Sequence, residues 1–135
     1  MSLQEQQLLK ETYYNESIRY MDNAKECLSK ANKDGKFYRD IKYVKMACGT
    51  AYSGLLMALD GFFVLKGVEQ LKSKQRKSIE YYQSNITKID KKMLDYVNTA
   101  YKILHLYGFY DGGESVTVIK EGFDDAYKII EKIKP

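Results

Sequence analysis

KMACGTAYSGLLMALDGFFVLKG, running from Lys45 to Gly67, carries two seams on one helical period. Cys48, Leu55, Leu59 and Phe62, joined upstream by Val44, form a bulky line, while Ala47, Ala51, Gly54, Ala58 and Gly61 recur at steps of 4, 3, 4 and 3. A helix of this kind can interdigitate on one side and let a neighbouring backbone approach closely on the other, which places it at the centre of a bundle. It is expected to run from about Phe37 to Lys66, with Gly67 as its C-terminal stop. Asp60 shares a polar line with Met46, Thr50, Ser53 and Met57 and needs a hydrogen-bond donor if it is buried. Met46 to Leu65 is also a twenty-residue stretch whose one charge is Asp60, long enough to be weighed as a membrane span. Asp60 alone costs about 3 kcal/mol on insertion scales, and the rest of the chain supplies amphipathic helices in need of a partner, so a buried core helix and no membrane contact are expected.

Those partner helices are visible on either side. Upstream, Tyr14, Ile18, Met21, Ala24 and Leu28 make one apolar stripe, Ser2 and Glu5 suit a capping box, and Asn32 to Lys36 ends a first helix that spans about Ser2 to Ala31. Downstream, Ile79, Tyr82, Ile86, Ile89, Met93, Tyr96, Ala100, Ile103 and Tyr107 alternate steps of 3 and 4. That seam predicts one continuous third helix of roughly 40 Å. A glycine-punctuated turn, Gly108 to Gly113, leads to Ser115 as N-cap and to a fourth amphipathic helix marked by Val116, Ile119, Phe123, Ala126, Ile130 and Ile133. The expected fold class is all-α, an up-down-up-down four-helix bundle forming a single domain over residues 1–135.

Composition agrees. In 135 residues, 44% apolar and 30% charged, the one proline is Pro135, so no proline interrupts a helix. A net charge of +4 neither requires nor forbids a polyanionic partner. Cys27 and Cys48 lack CxxC spacing, which fits a reducing compartment and argues against a disulfide framework or a zinc knuckle. Met1 to Lys10 shows no basic segment followed by an apolar run, so a cytoplasmic location is expected.

Candidate sites are few. His105, the one histidine, lies on the third helix away from the seam, on a line with Leu94, Asn98 and Tyr101. Alone it cannot build a histidine metal site, and no carboxylate at helical spacing orients it as a base, so no catalytic residue, metal or cofactor is expected. The turn gathers Tyr107, Phe109, Tyr110, Asp111 and Glu114, which could stack a ring and accept hydrogen bonds, or could plug the end of the core. The binding candidates are His105, Tyr107, Tyr110 and Asp111. Lys30, Lys33, Lys36, Arg39, Lys42 and Lys45 recur every three residues, and Lys72, Lys74, Arg76 and Lys77 precede the third helix. These are solvated faces or, in the sharper reading, contacts to a phosphate backbone.

The helix Lys45 to Gly67, the basic connection, and the run YKILHLYGFYDGGESVTVIKEGFDDAYKIIEKI from Tyr101 to Ile133 together resemble HEPN-type four-helix bundles and small bacterial families similar to them. Many HEPN domains are ribonucleases that use an Arg followed four to six residues later by His, and many pair as dimers. Here Arg19, Arg39 and Arg76 have no such histidine, and Thr99, Ala100 and Tyr101 stand where the arginine would precede His105. The resemblance therefore implies a non-catalytic helical interaction or assembly module, a homodimer through the second and third helices or a partner of another protein. The alternative it implies is an RNA- or nucleotide-associated protein binding through the basic connections.

Overall fold

The structure is a computed structural model, and it describes residues 1–69, 71 and 77–135. Of the second basic group, Lys72, Lys74 and Arg76 lie outside the described residues. The chain is predominantly helical, with five α-helices among the described residues. They are α1 (Leu3–Ser29), α2 (Ile41–Leu65), α3 (Ile79–Ile89), α4 (Lys91–Ala100) and α5 (Val116–Ile130). A π-helical segment, Tyr101–Tyr110, continues α4, and a short 3-10 turn, Glu131–Ile133, follows α5.

The central position of α2 holds. Val44, Cys48, Leu55, Leu59 and the small residues Ala47, Ala51, Gly54, Ala58 and Gly61 are all buried. The small seam receives α1: a Cβ at Gly54 would stand 2.9 Å from Tyr20 Cβ and 3.2 Å from the Ser17 carbonyl, and one at Gly61 would stand 2.6 Å from Tyr13 Cβ. Met21, Ala24 and Ser17 form the buried line of α1, and the Ser17 hydroxyl donates to Tyr13 O at 2.8 Å. The Ser2 hydroxyl accepts from Glu5 N at 3.1 Å, as the cap requires. By length and composition α2 could cross a membrane, but half of its most apolar window is buried inside the protein.

Two expectations are corrected. The expected start of the second helix at Phe37 gives way to a two-stranded hairpin, β1 (Lys33–Asp34) and β2 (Phe37–Tyr38), with Lys33 opposite Tyr38 and Asp34 opposite Phe37. Gly35 at φ +62° makes the two-residue turn possible, and Asp40 then caps α2 by accepting from Lys42 N at 3.1 Å. The continuous third rod is also absent. Asp90 adopts an extended conformation, φ −154° and ψ 94°, and its carboxylate accepts from Lys92 N at 3.1 Å and Met93 N at 3.3 Å. It ends α3 and begins α4, and the 3–4 pattern survives because both pieces turn the same side inward: Tyr82, Ile86 and Met93 are all buried. Four rods thus become five α-helices plus a π segment.

Candidate functional site

Asp60 is accounted for by structure. Its carboxylate accepts from the Tyr82 hydroxyl at 2.9 Å and from Lys77 Nζ at 3.1 Å, tying α2 to the start of α3. Burial, followed by the adjacent Asp60 charge, pushes the Tyr82 phenol well above its ordinary range. Nor does the protein gather metal ligands: among the described residues no group of three or more His, Cys, Asp or Glu side chains stands together.

The π segment does gather something. His105 lies parallel to Phe109, 9° between planes and 5.9 Å between ring centroids, and stacks on Tyr101 at 5.4 Å. From α2, Tyr52 stacks on the same imidazole at 4.7 Å, and Tyr110 meets it edge-on at 4.9 Å. The backbone geometry that presents this ladder has a wide turn, with Asp111 N donating to Leu106 O at 2.9 Å across five residues. Two glycines let the segment lie on α2. A side chain at Gly108 would strike Cys48 Sγ, and a Cβ at Gly49 would stand 2.8 Å from the Phe109 ring. Burial pushes the Cys48 thiol and the Tyr52 phenol up to about 12, and lowers the His105 imidazole below its usual value, so all three are neutral at pH 7.

Beside the ladder runs a groove of about 470 Å³, walled by Tyr20 of α1, by Met46, Gly49, Thr50, Tyr52 and Ser53 of α2, and by His105 and Phe109. None of these side chains carries a charge. Thr50 and Ser53 donate their hydroxyl protons to Met46 O at 2.9 Å and Gly49 O at 3.1 Å, which leaves oxygen lone pairs as acceptors.

Of the four candidates from the sequence, His105 and Tyr110 meet in this cluster. Tyr107 does not. Its ring covers Gly113 and its hydroxyl accepts from Ser115 N at 2.9 Å, so it braces the turn. Asp111 is exposed, outside the residues that wall the groove. Phe109 and Tyr110 are 42% and 60% exposed and do not plug the core. Sequence reasoning missed Tyr52, Gly49 and Tyr20, which reach the groove from other helices. It also stopped the Tyr101–His105 line one step short, since Phe109 continues it at the same four-residue spacing.

The model of a domain of unknown function (DUF5618) matches residues 12–135. A solved structure of a protein of unknown function from Dyadobacter fermentans is 42% identical, with a TM-score of 0.81 over 98% of this chain and 97% of that one. No curated protein matches the chain.

Proposed function

The chain belongs to the DUF5618 family, whose function is unknown, and from that footing we propose that it is a non-catalytic, cytoplasmic interaction module whose working surface is the aromatic groove. The observation that carries this reading is exposure without structural need: Phe109 and Tyr110, 42% and 60% exposed, pack on a stacked histidine, and Met46, 52% exposed, walls the groove beside it. Large apolar groups held in contact with water at one place mark a binding surface. The non-catalytic reading is supported by His105 having rings rather than a carboxylate around it, and the cytoplasmic one by the free Cys27 and Cys48. The homodimer expected through the second and third helices would use this same face, where α2 leaves Met46 and Ser53 exposed.

Tyr110→Ser tests the surface reading. A side chain kept for binding changes stability by no more than about 0.5 kcal/mol when replaced, whereas a loss above about 2 kcal/mol would make it a structural plug. Mass in solution tests the dimer: a strict monomer at high concentration removes it.

A HEPN-like bundle with an RNA partner is the second reading, and one observation favours it. Tyr38 N donates to Glu114 O at 2.8 Å and Val116 N to Lys36 O at 3.0 Å, so the basic run from Lys33 to Lys45 meets the aromatic turn at one end of the molecule. This reading predicts RNA binding that weakens steeply with salt, and no retention on RNA at low salt disposes of it.

A further inference from the structure

We propose that the groove is a binding site for a flat, uncharged heteroaromatic ring bearing N–H donors, the chemistry of a nucleobase in a free nucleoside. The inference rests on the groove being the working surface and names what fills it.

Three features select the ligand. First, the rings are already aligned. His105 lies parallel to Phe109 at 9°, and Tyr52 and Tyr101 lie within 29° and 25° of the His105 plane, so a further flat ring can extend an existing stack. Phe109 ends the ladder, and Gly49 lets it rest against the α2 backbone while it stays 42% exposed. Stacking on such a ring rewards planarity and is indifferent to which base is offered. Second, the lining carries no charge in a chain where 30% of residues do. A phosphate or carboxylate would leave water here without finding a counter-charge. Third, two polar side chains of the groove, Thr50 and Ser53, present acceptors. The Thr50 and Ser53 protons are held by the helix carbonyls, so the oxygens meet N–H groups on a ligand. The volume, about 470 Å³, is within the usual range for a small-molecule site.

The test is calorimetric and fluorescence titration of the full chain with adenosine, AMP, a short oligoadenylate and cyclohexanol. The expected result is saturable adenosine binding, with AMP no tighter, cyclohexanol without effect and no steep salt dependence. Phe109→Ala should weaken adenosine by about tenfold or more, as loss of one stacking face does. Phe109→Tyr, which keeps the face, should restore it and guards against a variant that merely fails to fold. Saturable cyclohexanol binding overturns the ring requirement and leaves the groove a general apolar surface. Tight, salt-sensitive binding of the oligoadenylate alone overturns it in favour of the RNA reading. No binding of any nucleoside overturns the inference, while the Tyr110→Ser stability result separately decides whether the face is a working surface.

Discussion

Replacing Gly61 by Ala sets two well-measured effects against each other. In the interior of an exposed helix the change stabilises by about 1 kcal/mol, because alanine loses less backbone entropy. Gly61, however, is buried on the side of α2 that receives α1, and the new methyl would stand 2.5 Å from Tyr13 Cγ and 2.6 Å from Tyr13 Cβ. Tyr13 Cβ is fixed to the α1 backbone, so no side-chain rotation relieves the contact and the helices must part. Overpacking of this kind costs about 1–3 kcal/mol, and a clash that involves a backbone-anchored atom belongs in the upper half of that range. The net expectation is a loss of about 1–2 kcal/mol, or roughly 3–8 °C in Tm, read by urea and thermal unfolding at neutral pH. Gly54→Ala should lose less, since its nearest contacts are 2.9 Å to Tyr20 Cβ and 3.2 Å to Ser17 O. If Gly61→Ala is as stable as the parent or more so, propensity has won, and the close approach of α1 to α2 is wrong.

Three further outcomes follow from the same structure. Asp60→Ala strips the Tyr82 hydroxyl and Lys77 of their acceptor and should cost about 1–3 kcal/mol in urea unfolding, whereas a change below about 0.5 kcal/mol would show the bonds to be dispensable. Asp90→Ala removes the cap of α4 and should cost about 1 kcal/mol, with unchanged stability contradicting the assigned break between α3 and α4. Because burial lowers the His105 imidazole, the unfolded chain binds that proton more readily. The resulting stability is complete above the ordinary value of 6.5 and is lost as pH falls through the folded one. Parent Tm should therefore drop relative to His105→Phe between about pH 7.5 and pH 5, and parallel Tm profiles would contradict a desolvated imidazole.

Much of this fold was legible because burial writes a period into the sequence. Ala47, Ala51, Gly54, Ala58 and Gly61 announced a close helix contact, and the contact is there. Periodicity could not report the break at Asp90, since a capped restart that keeps the same face inward leaves the spacing of Ile86 and Met93 intact. The available sign was chemical: an aspartate just before Lys91-Lys92 is a good helix cap. Gly35-Lys36, with glycine first in a two-residue loop, likewise marked the hairpin that displaced Phe37 from the second helix. The site was half legible. His105 and Tyr110 stood out by type, but Tyr20 and Tyr52 join them only through the packing of α1 and the π segment on α2, a tertiary fact without a linear trace. Tyr107 stands apart from the ladder because its hydroxyl accepts from Ser115 N, a partner that the sequence does not reveal.

The chain has one histidine, so one imidazole Cε1 proton resonance reports the groove. Followed by NMR as adenosine is added to the full chain, that resonance should move upfield and saturate as a base joins the stack beside Phe109. A resonance that stays in place while adenosine reaches millimolar concentration would contradict the ring-binding groove.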